Sequence, residues 1–364
     1  MRRLLLALLY AFILVQSLHA RRNKTKASKD ELRPKTFIGE RAAITTHSSF
    51  TAVLVKLNIS HHHLLNYTTG FLSTRVIPAA YVVAILIGIP SNALVLACLS
   101  RKTRSLSSAI LYLSLATSDI LLLLSLTLRV HYHINGNNWV FGEIACKVVT
   151  ACFYGNIYCS IHAHMYISVV RYLAVVHPFL YRGLSKQSFM TCASLTLWGA
   201  FALAMAPELL TDQSYYVNHV GITCHDVLPY KEESYKYLIP YRLCLIFFGF
   251  MVPFAIITFS YGSIVYHLGR SSCDWTHYVK ASTLVFGIFL LCFTPSNTIH
   301  LMHYVRLYTS QPDDFYIYFS VAVCLCCFHS CLDPFLTYFI TKTKASTVDF
   351  ISLTSMSPRS STNA

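Results

Sequence analysis

Three groups of residues in this chain have the types and spacing to do chemistry. The first is Leu32-Arg33-Pro34-Lys35-Thr36-Phe37-Ile38-Gly39, where a cuttable basic residue precedes a small hydroxyl residue and an apolar pair. Breaking the Lys35–Thr36 bond would leave Thr36 with an α-amino group that is mostly protonated at neutral pH. Arg33 and Arg41 are competing basic positions, but Pro34 fixes the backbone just before Lys35. A cut after Arg41 would shed the new end altogether. The second group is Asp119, in Leu115-Ala116-Thr117-Ser118-Asp119, with Asn92 and Asp333 as partners from other apolar runs. Carboxylates in such surroundings are costly. They form either a hydrogen-bond network or a hydrated site for a proton or a small cation, with sodium near Asp119 as the candidate ion. The third group is the cysteines. Most of the thirteen lie inside apolar runs or on the inner side, whereas Cys146 and Cys224 face an oxidising space and are expected to form the one disulfide. No nucleophile–base pair has a setting that suggests an enzyme.

The elements that position these residues are membrane spans. The chain has 364 residues, 55% hydrophobic and only 12% charged, a balance too apolar for a soluble globule. Apolar runs at 76–100, 108–131, 143–170, 187–210, 238–268, 278–306 and 315–340 each approach or exceed the roughly 20 residues a helix needs to cross a bilayer. Their internal prolines, such as Pro90, Pro207 and Pro253, are tolerated in membrane helices. The fold expected is all-α, a bundle of seven transmembrane helices. Residues 1–20 read as a signal peptide, because the run from Leu4 to Val15 is too short to span; an N-terminal anchor is the other reading. Arg101, Lys102, Arg104, Arg182, Lys186, Lys342 and Lys344 then lie on the inner side, which puts the leader outside. The sequons at Asn23, Asn58 and Asn66 fall in that leader and are candidate glycosylation sites. His61-His62-His63 lacks the spacing of a formed metal site and reads as a solvated loop. The net charge of +14 is spread over both sides of the membrane, so nucleic acid is not its natural partner. Residues 341–364 form a Ser/Thr-rich cytoplasmic tail, either phosphorylated or simply solvated.

At the inner end of the third run stands Val170-Arg171-Tyr172-Leu173-Ala174-Val175-Val176-His177-Pro178. The fourth run carries Trp198, and the sixth Cys292-Phe293-Thr294-Pro295-Ser296-Asn297. Together with Cys146 and Cys224, this constellation resembles the rhodopsin-like G-protein-coupled receptors across all seven spans. Asn135-Gly136-Asn137-Asn138-Trp139-Val140-Phe141-Gly142-Glu143 and Cys224-His225-Asp226-Val227 resemble the protease-activated receptors in particular. Lys35-Thr36-Phe37 and Asp333-Pro334-Phe335-Leu336 are most similar to that family's third subtype. The resemblance implies cleavage at Lys35–Thr36 by an extracellular trypsin-like serine protease, thrombin or a related enzyme. Residues 21–35 would be the released propeptide, 36–75 the tether and 76–340 the bundle, at the plasma membrane. Thr36, Phe37, Ile38 and Gly39 would be the tethered ligand, with His225, Asp226, Tyr316, Tyr154 and Tyr158 as candidate binding residues. Arg171 and Tyr172 would face a heterotrimeric G protein. A flexible tether of about 40 residues reaches ~35 Å, and at effective concentrations near millimolar a peptide worth only ~4 kcal/mol half-fills its pocket.

Several positions depart from the family pattern. Glu40-Arg41-Ala42-Ala43-Ile44 has no acidic, aromatic stretch to hold a protease exosite. Val170 stands where an acid usually precedes the arginine, and so leaves Arg171 without an adjacent side-chain partner. Thr337 stands where a tyrosine is usual, with Tyr338 turned ~100° round the helix. Thr127 replaces a familiar proline. His162 and His164 replace aliphatic residues, and read either as packed neutral imidazoles or as a pH-sensitive switch. The outer motifs are intact while the output machinery is altered. Two functions follow: a signalling receptor, or a poorly signalling co-receptor that works with another protease-activated receptor. A transporter or channel is disfavoured, because the chain lacks duplicated halves.

Overall fold

The computed structural model describes residues 37–41, 56–58, 67–101, 106–217, 221–225, 227–229, 235–270, 276–309 and 316–338. Seven helices in it are long and apolar enough to cross a membrane: α1 (Leu72–Ser100), α2 (Ile110–Ile134), α3 (Gly142–Val176), α4 (Gln187–Leu210), α5 (Pro240–Leu268), α6 (Ser282–Met302) and α7 (Ile317–Tyr338). Helices are the natural solution for a chain crossing lipid, because every backbone group finds its partner within the segment. Large apolar side chains such as Leu86, Leu94, Leu195, Phe248 and Leu291 stay exposed on the outside of the bundle, as a lipid-facing surface requires. Inside, α3 is the axis: it packs on α2, α4 and α5, and 72% of its apolar window is buried, against 17% for α1. The core is aromatic around α5 and α6, where Phe250, Phe254 and Phe289 stack with centroids 5.6–5.9 Å apart.

Three of the spans contain a wide π-helical turn, at Leu72–Val76, Phe247–Met251 and Phe289–Phe293. The first of these starts α1 a turn earlier than its apolar run suggests. In α7 the winding instead tightens: Ser330 N–H donates to Cys327 O (3.4 Å) and Cys331 N–H to Phe328 O (3.0 Å), a three-residue step rather than four. These irregular turns sit beside the polar residues described below, as such turns commonly do.

The outer face adds an element that helix-length apolar runs do not announce. Short strands β1 (Phe37–Arg41), β2 (Lys56–Asn58), β3 (Ser214–Val217), β4 (Gly221–Cys224) and β5 (Val227–Pro229) form a sheet in the order β4-β3-β2-β1-β5. β3 and β4 are an antiparallel hairpin with Ser214 opposite Cys224. β1 lies parallel to β5, with Phe37 opposite Val227 and Gly39 opposite Pro229. The disulfide Cys146–Cys224, with Cα atoms 5.7 Å apart, ties this hairpin to the start of α3 as the cysteine placement predicts.

Candidate functional site

The outer mouth is knitted together by the Asn135–Glu143 segment. Gly136 and Asn137 take positive φ (69° and 61°), a conformation that glycine and asparagine adopt at least cost. The buried Asn137 amide then donates to Thr68 O (2.8 Å) and accepts from Ser73 (3.0 Å), joining the end of the leader to the loop after α2. Asn138 Oδ1 accepts from Ile222 N (3.0 Å), and Trp139 N donates to Ile222 O (2.7 Å), which fixes β4. Glu143, in the first turn of α3, accepts from the backbone N–H groups of Gln213 (2.8 Å) and Ser214 (2.7 Å). One short motif thus orients the leader, the hairpin and α3 together.

Beneath this mouth lies a small crevice of about 40 Å³, lined among others by Tyr81, Arg129, His133, Tyr154, His225 and Phe319. That volume admits a few waters and not a peptide. Tyr154 on α3 bonds His225 Nε2 at 3.0 Å, and His225 Nδ1 bonds Gln213 Oε1 at 2.8 Å. Gln213 Nε2 donates in turn to Glu208 (3.1 Å), which also pairs with Arg242 of α5. The Arg242 guanidinium lies over the Tyr154 ring at 5.6 Å. Glu208 and Arg242 are both almost fully buried; a buried pair of this kind is strongly destabilised when one partner is removed. Tyr158 lies buried deeper in α3, in a site that needs the missing side chain of Gly249: a Cβ there would stand 2.5 Å from the Tyr158 ring.

A second polar centre lies in the middle of the bundle. Asp119 (α2), Asn156 and His164 (α3), and His329 and Asp333 (α7) are all buried to within 1% of complete exclusion. Asn156 donates to Asp119 Oδ1 (3.0 Å), His329 Nε2 stands 3.1 Å from Asn156 Oδ1 and 3.6 Å from Asp119 Oδ1, and His164 Nε2 stands 3.0 Å from Asp333 Oδ1. Asn92 anchors α1 to this centre by donating to Ser330 O (2.8 Å) and Gly88 O (3.0 Å). It therefore touches the backbone of α7 and not the carboxylates it is expected to join. His162 faces away from the cluster, with its ring nitrogen 2.8 Å from Tyr158 O.

At the inner end, Arg171 is buried and donates to Ser282 of α6 (3.1 Å). Val170 does deprive the arginine of a neighbouring acid, but tertiary structure supplies a hydroxyl from across the bundle. Tyr172 bonds His177 (3.0 Å), and Thr337 donates to the Asp333 carbonyl (3.1 Å), while Tyr338 points outward.

The residues anticipated from the sequence are therefore distributed over three levels. Tyr154 and His225 meet in the crevice, Asp119 and Asp333 meet at mid-bundle, and Arg171 and Tyr172 mark the inner end. Tyr316 opens the helix Tyr316–Cys326, the backbone of Phe37 to Gly39 forms most of β1, and Asn58 ends β2. Lys35, Thr36, Asn23, Asn66, Asp226 and His61 to His63 lie outside the described residues. Sequence reasoning missed Glu208, Arg242, Ser282 and His329. A glutamate, an arginine and a histidine inside apolar runs were the available signals for three of these; nothing in the sequence marks Ser282 among so many serines.

The profile of the 7 transmembrane receptor (rhodopsin family) matches residues 91–336. The chain is 42% identical over 290 residues to proteinase-activated receptor 3 of Homo sapiens, covering 78% of each chain. It is 41% identical to proteinase-activated receptor 3 of Bos taurus (82% of this chain, 80% of the relative) and 34% identical to proteinase-activated receptor 2 of Bos taurus (75% and 71%). With seven spans, the disulfide at the mouth and these relatives, the chain belongs to the rhodopsin family of seven-transmembrane receptors, and within it to the proteinase-activated receptors.

Proposed function

We propose that this membrane receptor is switched by proteolysis of its own leader. A trypsin-like serine protease, thrombin or a related enzyme, cuts between Lys35 and Thr36, and the new end from Thr36 to Gly39 acts as the tethered ligand. The observation that carries this reading is the parallel register of β1 with β5, Phe37 opposite Val227. The strand holding the ligand residues thereby runs beside the loop that continues from His225, which reaches into the crevice. In sequence, Thr36 precedes Phe37 as Asp226 precedes Val227, so the carboxylate at Asp226 is the natural counter-charge for the freed amine. Because the crevice is too small for a peptide, Phe37 and Ile38 would have to widen it, repacking Tyr154 and His225. That movement is the route by which cleavage reaches the bundle and a heterotrimeric G protein.

The test is identification of the mature N-terminus after protease exposure, together with G-protein activation in cells lacking other family members. Wild type should yield a chain starting at Thr36, and Lys35→Ala should abolish both cleavage there and protease-dependent signal. An uncut Lys35–Thr36 bond overturns the reading. A second reading, a cleaved but poorly signalling co-receptor, is favoured by the altered inner end: Val170, Thr337 and the Arg171–Ser282 bond that ties α3 to α6. It predicts cleavage without signal in the same cells, restored when another protease-activated receptor is present.

A further inference from the structure

We propose that His225 is an acid-sensitive latch over the outer crevice: a second proton on its ring breaks its hold on Tyr154, so that the receptor senses extracellular acidity as well. His225 follows β4 with φ 70°, in the left-handed region that a residue with a side chain adopts at a cost. Three fastenings hold it there. Its backbone N–H donates to Gln213 O (2.8 Å), its Nδ1 meets Gln213 Oε1 (2.8 Å), and its Nε2 meets the Tyr154 hydroxyl (3.0 Å). The last contact joins the outer hairpin to α3 at the wall of the crevice.

The neighbours fix where the ring proton sits. Gln213 Nε2 stands 3.1 Å from a Glu208 carboxylate oxygen and 2.8 Å from the Thr211 hydroxyl. A carboxylate only accepts, so the amide nitrogen belongs on that side and Oε1 turns to His225. An amide oxygen also only accepts, so His225 Nδ1 carries the proton and Nε2 accepts from Tyr154 O–H. The chain from Tyr154 through His225 and Gln213 to Glu208 is therefore satisfied in one direction, by one uncharged tautomer. A second ring proton sets an N–H against the Tyr154 O–H. The hydroxyl would have to reverse beside the Arg242 guanidinium, which already reaches it and lies over its ring at 5.6 Å, and its own proton would lose its acceptor.

Charge opposes the second proton while the latch is shut. Glu208 is 3.7 Å from His225 Nδ1, but it is already paired with Arg242 and accepts from Gln213. Arg129 and His133 of α2 line the same crevice, and His300 of α6 stacks on Tyr154 with centroids 6.1 Å apart. Tyr81 of α1, also in the crevice wall, is uncharged at neutral pH; Asp226 lies outside the described residues. A charged imidazole at His225, only 7% exposed, would add a cation beside a carboxylate that Arg242 has already neutralised. Turned out into water, the ring titrates near its ordinary value of about 6.5. The latch is therefore held shut above that value and released below it. With no second proton taken up in the shut form, going from about pH 7.4 to about pH 5.5 moves the balance toward the open form by ~10-fold.

The latch is a property of the crevice itself and stands whether or not the freed leader is what enters it. Its test therefore uses no protease and no peptide. Amide exchange is followed on the full, uncleaved chain in lipid nanodiscs and expressed as protection factors, so that the ordinary pH dependence of exchange cancels. Protection of the His225 N–H, which donates to Gln213 O, should fall several-fold, and at most ~10-fold, between about pH 7.4 and about pH 5.5. Amides in the buried middle of α3 should keep theirs. His225→Gln retains a donor and an acceptor but does not titrate, and should show no such fall; His133→Gln and His300→Gln should keep it. The wild-type comparison at the two pH values needs no variant to fold. Unchanged or rising protection in wild type, an equal fall throughout α3, a fall retained in His225→Gln, or its loss in His133→Gln or His300→Gln overturns the latch.

Discussion

Replacing Ser282 by alanine removes the hydroxyl that accepts from the buried Arg171 guanidinium, the 3.1 Å bond joining the inner ends of α3 and α6. A hydrogen bond to a charged group is worth about 1.5–3 kcal/mol. At about 1.4 kcal/mol per factor of ten, its loss shifts a two-state equilibrium between joined and separated inner ends by roughly 10- to 150-fold. A receptor with ~1% of molecules separated at rest would then have roughly 10–60% separated. The shift applies to the joined arrangement because Arg171 is buried there, only 7% exposed, so bulk water does not replace the lost bond. Spin labels or fluorophores on the inner ends of α3 and α6 report the separation directly, without requiring that the receptor couple to a G protein. Ser282→Thr, which keeps a hydroxyl, should behave as wild type. If Ser282→Ala leaves the distance distribution unchanged in a properly folded receptor, the bond does not hold the two helices together. The Arg171–Ser282 contact would then be incidental to the resting state, and the inner end would be kept closed by other contacts.

Two further changes probe the outer half of the bundle. Gly249→Ala places a Cβ 2.5 Å from the Tyr158 ring, so overpacking should cost about 1–3 kcal/mol and lower the melting temperature. Gly199→Ala, where a Cβ meets nothing within 4 Å, should be near neutral; equal effects at both sites would refute the packing argument. Arg242→Ala leaves Glu208 buried without its cation and should cost about 3–5 kcal/mol, seen as reduced surface expression. Pairing Glu208→Gln with Arg242→Met should recover much of that loss, and a double variant no better than the single one would refute the ion-pair account.

Much of the fold is legible because lipid imposes a length and a composition on each span. The apolar runs locate all seven helices, and the placement of Cys146 and Cys224 is enough to pair them. The outer sheet is less visible, since strands of three to five residues, two in the polar leader and three in the loop between α4 and α5, carry too few side chains for a period to show. Asp119 and Asp333 stand out as carboxylates in apolar runs. His329 is masked by its neighbours: in Cys326-Cys327-Phe328-His329-Ser330, nothing foretells that the helix tightens and turns the imidazole toward Asp119.

What the sequence determines by itself, then, is which segments cross the membrane and which residue types are carried into it, because burying a backbone or a charge in lipid has a cost that composition must answer. Tertiary structure alone decides which of those polar groups meet. Arg171 finds Ser282 111 residues away, Glu208 finds Arg242 34 residues away, and His329 reaches Asn156 across 173. Each contact depends on how neighbouring helices are rotated and where their turns widen or tighten. That rotation is set by packing summed over the whole bundle rather than by any local run of residues.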